Sequence, residues 1–197
     1  CESELRTTFS ALADLDCILS LAGCAADLNF VRPEIAPAKE GIVCIENGRH
    51  PLQELIVDDE FIPNDTDMEN DDRRVMIVTG PNFSGKSCYA RQVGVLAYLA
   101  HVGSYLPADS ARISVMDQII VNFGDVETCS VPQSTFQRDL TQMAGIMRKA
   151  TPHTLVLIDE FGKGTAPTSG IAVMTSAMQR LAQIGCKVVC TTHFLEM

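Results

Sequence analysis

Gly80-Pro81-Asn82-Phe83-Ser84-Gly85-Lys86-Ser87 sets two glycines, a lysine and a serine at the spacing G-x-x-x-x-G-K-[ST]. That spacing suits a phosphate cradle. Glycines let the backbone curl so that successive N–H groups point inward at phosphate oxygens. A helix starting at the end of the turn adds partial positive charge. In that setting Lys86 reaches the β- and γ-phosphates of a nucleotide, and the Ser87 hydroxyl ligates Mg²⁺. The plain alternative is a glycine turn between a strand and a helix.

A second group with chemistry is Asp159-Glu160, two carboxylates at the end of the apolar run Leu155–Ile158. In a parallel sheet, ligands sit at the carboxyl ends of the strands. A strand next to the turn at Gly80 therefore delivers both carboxylates to the γ-phosphate. Asp159 holds Mg²⁺, directly or through water, and Glu160 orients and deprotonates the attacking water. His193 follows another apolar run, Val188–Thr191, and arrives at the same edge. It is either a structural histidine or a group that senses the γ-phosphate, and its place after the next strand favours the second. His50, His101 and His153 have no such setting.

The elements that must position these groups follow from periodicity. Val75–Thr79 is a short apolar, β-branched run that reads as a buried parallel strand. A helical pattern runs from Ser87 to about His101. Further strands are read over Gly41–Ile45, Met116–Phe123, Thr154–Asp159 and Lys187–Thr191. Further helices are read over Thr135–Lys149, with Phe136, Leu140, Met143 and Met147 on one face, and over Gly170–Ile184 with Gly185 as its C-cap. This alternation predicts an α/β fold: a mostly parallel sheet covered by helices on both faces. Ahead of it, Glu2 to about Ala26 is helical, with Leu5, Phe9, Leu12 and Leu19 in a heptad-like stripe. Such a stripe is more often a core face than a partner-binding seam. Pro33 ends the segment. From Asp58 to Asp72 the chain is acidic and reads as a solvated loop, with metal binding a distant second. The apolar island Phe61-Ile62-Pro63 reads as an anchor pinning that loop to the core.

The 197 residues carry a net charge of −10, which argues against a domain that grips DNA through its own surface. The eight cysteines form no C-x-x-C pair, so neither a zinc site nor a redox motif is suggested; they read as reduced, mostly buried thiols. No apolar run is read as spanning a membrane, and no signal peptide is read. Beginning at Cys1 and stopping at Met197 after a strand-like run, the chain reads as a fragment of a longer protein.

Taken together these residues resemble the ATPase domain of the MutS family of DNA mismatch-repair proteins. Gly80–Ser87 is similar to the family's G-P-N-x-x-G-K-S loop, and Ser134-Thr135-Phe136 to its S-T-F signature. Asp159–Thr165 is similar to its D-E-[hydrophobic]-G-[RK]-G-T block, Thr192-His193-Phe194 to its T-H-[YF] element, and Gly48-Arg49-His50-Pro51 to its G-R-H-P. The resemblance implies a P-loop NTPase of the ABC-like kind over 34–197, truncated at its C-terminus, preceded over 1–33 by the end of a long lever helix and a linker. It implies ATP and Mg²⁺ as ligands. Glu160, His193 and Lys86 are then catalytic; Gly80, Pro81, Asn82, Phe83, Ser84, Gly85, Lys86, Ser87 and Cys88 hold the nucleotide, with Phe61 and Ile62 packing on the adenine. Ser87 and Asp159 serve the metal, and Ser134 reaches the nucleotide of a partner subunit. The partners implied are a second MutS homologue, as a heterodimer, and DNA held by other domains of the parent, with no membrane and an intracellular, nuclear location. Phe161 with Lys163, and Gln133 before the signature, is most similar to the meiotic MutS homologue 5 type, whose members promote crossovers.

Four positions depart from the pattern. Cys88 stands for a threonine, Pro132 for a glycine, Asn122 for an arginine and Ser169 for an aspartate. The first implies one lost hydroxyl contact to phosphate; the other three bear on hydrolysis, or on its symmetry between subunits, more than on binding. Two rivals follow: a non-hydrolysing nucleotide-binding dimerisation module, and a mismatch-repair member rather than a meiotic one.

Overall fold

The computed structural model describes residues 2–57, 60–69, 71–124, 135–162 and 165–194. Helix α1 (Glu2–Asp27) comes first, followed by β1 (Glu34–Ala36), β2 (Val43–Gly48), β3 (Asn64–Asp67) and β4 (Val75–Thr79). Then come α2 (Lys86–His101), β5 (Ser110–Ser114), β6 (Gln118–Phe123), α3 (Thr135–Lys149), β7 (Thr154–Asp159), α4 (Pro167–Ile184) and β8 (Lys187–Thr192).

The strands form two sheets. One has the order β4-β8-β7-β6 and is parallel throughout, as the apolar runs predict. The other, β1-β5-β2-β3, is mixed, and the expectation of a single sheet overlooks it. Its strands are short and polar: β3 reads Asn-Asp-Thr-Asp, inside what sequence marks as solvated loop. Pairing with β2 and the burial of alternate residues Thr66 and Met68 make it a strand, against its poor β propensity.

β7 shows how the layers are sorted. Leu155 and Leu157 join one core with Ala90, Val93, Leu96 and Ala97 of α2 and with Val43, Ile45 and Ile113 of the mixed sheet. Val156 and Ile158 face the other way, into a core with Met143 and Ile146 of α3 and Met174 and Leu181 of α4. Successive strand residues point to opposite faces, so a continuous apolar run is what a strand needs when both faces are covered. On α3 the buried positions are Met143 and Ile146, while Leu140 of the expected face is 37 % exposed. α4 begins at Pro167, ahead of the expected Gly170, because proline fits the first helical turn. Gly185 ends it in the left-handed conformation, φ 95°, as expected.

Three expectations are corrected here. The stripe on α1 is not a core face: no residue of α1 is buried, and Leu5, Phe9, Leu12 and Leu19 are all more than half exposed. By length and composition alone α1 also passes as apolar enough to cross a membrane, contrary to the reading of the sequence. Asp14 and Asp16 lie in its middle, however, and each costs roughly 2.5–3.5 kcal/mol at a bilayer centre. Among the described cysteines only Cys186 and Cys190 are buried; Cys44 and Cys88 are half-buried, and Cys17 and Cys24 exposed. The linker after α1 is tied down by Val31 and Leu106, which exchange two backbone hydrogen bonds of 2.8 Å each.

Candidate functional site

β4 ends at Thr79 and α2 starts at Lys86, so the glycine-rich turn spans the carboxyl end of one strand and the amino end of one helix. Gly80 has φ +157°, and a Cβ there would lie 2.9 Å from the Ser84 hydroxyl. Gly85 caps α2 in the left-handed conformation, φ 90°. Both glycines are therefore dictated by backbone shape. Lys86 is 6 % exposed, and its ammonium folds back to donate to the carbonyls of Gly80 and Pro81, each at 2.8 Å. Pro81, Asn82, Phe83 and Ser84 are exposed; Phe83 takes φ 62° with its ring fully in solvent.

Asp159 ends β7, the strand two places from β4, with β8 between them. The Ser87 hydroxyl donates to Asp159 Oδ1 at 2.8 Å. Thr191 Oγ1 donates to the same oxygen. Glu160 follows with φ 52°, a conformation that costs a residue other than glycine roughly 1–2 kcal/mol. Its backbone N–H is held by the Thr191 carbonyl at 3.1 Å and the Thr191 hydroxyl at 3.2 Å. Its carboxylate meets His193 Nε2 at 2.6 Å. A cavity of about 180 Å³ opens beside this pair, lined by Gly162, Thr165, Thr192 and Phe194 among others. Asp139 of α3 accepts the Gly162 N–H at 3.2 Å, and burial, partly opposed by that bond, raises its pKa. The Cys88 thiol is likewise pushed up by burial.

So Lys86, Ser87, Asp159, Glu160 and His193 lie in one connected set. Phe61 and Ile62 are a different matter. Phe61 is half-buried and Ile62 is 79 % exposed, so the island does not pin its loop to the core. That loop is held instead by Met68, fully buried, and by Thr66, whose hydroxyl meets Tyr89 OH at 3.0 Å. Tyr89 also donates to the Asp65 carbonyl at 3.0 Å, which brings the segment alongside the first turn of α2. Ser134 lies outside the described residues, as do Lys163 and Gln133. Thr191 and Asp139 were missed at the level of sequence. A threonine closing an apolar strand beside His193 is a signal that could have found the first; nothing in the sequence marks the second.

His50 explains part of the G-R-H-P element. It is 6 % exposed, and its Nδ1 accepts the backbone N–H groups of Leu52 and Gln53, each at 3.3 Å. Arg49 reaches Glu54 at 2.8 Å. These residues shape the turn after β2.

The fold and the site define an α/β domain with a polar cluster where a parallel sheet hands over to a glycine-rich turn and a helix. Residues 76–197 match MutS domain V, and the chain belongs to the MutS family. It is similar to the DNA mismatch repair protein msh3 of Aspergillus clavatus, 38 % identical over 193 residues, which are 98 % of this chain and 17 % of that protein. It is 39 % identical over 198 residues to the DNA mismatch repair protein MutS of Clostridium perfringens, covering 98 % of this chain and 22 % of that one. It is 37 % identical over 197 residues to MSH3 of Arabidopsis thaliana, 99 % of this chain and 18 % of that one. The chain thus spans about a fifth of the length of these relatives. Their names are those of mismatch repair proteins and give the meiotic homologue 5 assignment no support. Phe161, on which it partly rested, is 3 % exposed in the core with α3 and α4, so its type answers to packing.

Proposed function

We propose that this domain binds ATP with Mg²⁺ in the turn Gly80–Ser87 and hydrolyses it, as the ATPase part of a MutS-type mismatch repair protein. The observation that carries the reading is the bond between Ser87 and Asp159, which joins the glycine-rich turn to the strand bearing both carboxylates. The residues fit the ligands. A hydroxyl and a carboxylate at hydrogen-bond distance are the hard oxygen donors that Mg²⁺ takes, and the ion would neutralise charge on the phosphates. Lys86, buried and bonded to the two carbonyls of its own turn, holds a charge ready for an anion that displaces them. Glu160 orients a water and takes its proton at a carboxylate oxygen; His193, 2.6 Å away, fixes the rotamer of that carboxylate.

The same reading includes a second MutS homologue completing the site through Ser134, DNA contacted by other domains, and a nuclear location. It draws on the eukaryotic relatives for the last, although the Clostridium perfringens relative is bacterial.

The test is made in the full-length protein with its partner and DNA. Lys86→Ala is expected to abolish nucleotide binding. Glu160→Gln should retain binding and lose turnover by about 10²- to 10⁴-fold, the usual weight of a general base. Normal phosphate release by the Glu160 variant would remove Glu160 from the mechanism. Nucleotide binding without any turnover in the wild type would instead make the domain a dimerisation module.

A further inference from the structure

Thr191 is fully buried on β8, flanked in register by Val78 of β4 on one side and Asp159 of β7 on the other. A buried hydroxyl needs partners, and this one spends both its donor and an acceptor on the site. Its proton goes to Asp159 Oδ1, and a lone pair takes the N–H of Glu160 at 3.2 Å. Ser87 donates to the same Oδ1. An ionised carboxylate oxygen has about two lone-pair sites, so two hydroxyl donors fill Oδ1 and leave Oδ2 as the oxygen available to bind. The Glu160 N–H, shared between the Thr191 hydroxyl and carbonyl, also pins a backbone that stands at φ 52°. One side chain on a central strand therefore bonds to the carboxylate of Asp159 and to the backbone of Glu160.

We infer that Thr191 is a positioning residue for the hydrolytic site, orienting Asp159 toward the metal and Glu160 toward the water through one buried hydroxyl. This rests on the ATPase reading above. Ser87 cannot substitute for it, because Ser87 is itself assigned to the metal in the reading above and makes no bond to Glu160, whereas Thr191 is locked between two paired strands and bonds to both residues.

The experiment uses the full-length protein with its partner. Thr191→Val removes the hydroxyl and keeps the shape. Binding of a fluorescent adenine nucleotide without Mg²⁺ should stay at the wild-type level, because Lys86 and the turn are untouched. The Mg²⁺ concentration giving half-maximal phosphate release should rise by about 10- to 100-fold, the usual effect of losing a group that orients a metal ligand. Thr191→Ser, which keeps the hydroxyl, should restore the wild-type Mg²⁺ dependence. A Val variant with unchanged Mg²⁺ dependence and turnover would overturn the assignment, as would a Ser variant no better than Val. Should the Val variant fail to fold, Thr191→Cys supplies only a weak donor and must show the same rise. Wild-type protein that releases no phosphate at any Mg²⁺ concentration defeats the ATPase reading itself, an outcome distinct from a Thr191 effect that fails to appear.

Discussion

Gly48 closes β2, and a methyl group has nowhere to go there. A Cβ built on it lies 2.9 Å from Gln92 Nε2, 2.9 Å from Ile45 Cγ2 and 3.2 Å from the Asn64 carbonyl oxygen. None of the three can yield freely. Ile45 is 1 % exposed in the core, Gln92 is fully buried on α2, and the Asn64 oxygen belongs to the strand that pairs with Gly48 across a bulge. Gln92 Nε2 also donates to the Gly48 carbonyl at 2.9 Å, and its amide oxygen is already buried without a partner among the described residues. Gly48→Ala therefore carries an overpacking cost of about 1–3 kcal/mol. Displacing the amide adds about 1–3 kcal/mol for a buried donor left unmade. Relief from glycine's chain entropy returns about 0.5–1 kcal/mol. The balance is a loss of about 1–5.5 kcal/mol, so packing wins over entropy. Hydrogen exchange in the full-length protein reads this locally. Amides in the middle of α2 and in β2 should exchange roughly 5- to 8,000-fold faster, at 1.4 kcal/mol per tenfold. In a Gly48→Ala, Gln92→Ala double variant the loss should fall well short of the sum, since one side chain is the obstacle to the other. Unchanged or slower exchange in the single variant would refute the reasoning.

Two further outcomes follow from burial. Burial holds the His50 imidazole below its ordinary value of 6.5. The unfolded chain then takes up the proton first as pH falls, so the stability His50 lends is full above that value and is lost on acidification through it. Protection of the Leu52 and Gln53 amides, relative to their intrinsic exchange rate, should fall as pH drops below 6.5; unchanged protection would sink the capping role. Burial pushes the Cys186 thiol up to about 11 and the Cys190 thiol up to about 12. With the thiolate as the nucleophile, mass-resolved alkylation near neutral pH should leave both unmodified until the protein is denatured, and early labelling of Cys190 would contradict its place in β8.

The parts legible in the sequence share one physical trait. Thr154–Asp159 and the run into Thr191 are buried on both faces, so burial writes them as unbroken apolar stretches; Val75–Thr79, at the end of the same sheet, keeps the apolar run although none of its residues is fully buried. The strands of the mixed sheet are not so written. β3 is held by register with β2 and by two inward residues, a pattern too short to separate from a polar loop. The opposite error occurred on α1 and at Ile62. Both are apolar and both are exposed, because periodicity reports that a face wants a partner and says nothing of whether this chain supplies one.

The site divides along the same line. Glycines at 80 and 85, Lys86, Ser87 and the carboxylates at 159 and 160 are legible because each residue type is constrained by chemistry and their spacing is local. Thr191 and Asp139 act across the sheet, 32 residues from Asp159 and 23 from Gly162 in sequence. Only the register of β7 against β8, and the seating of α3 over the loop after Glu160, put them in reach. The strained backbone at Glu160 shows why such supports are needed. A left-handed glutamate persists only where its surroundings over-determine it, and here the Thr191 hydroxyl, the Thr191 carbonyl and His193 all bear on that one residue. Of the groups that bear on Glu160, His193 lies in a motif that the sequence displays, whereas Thr191 comes into reach only through the register of β7 and β8.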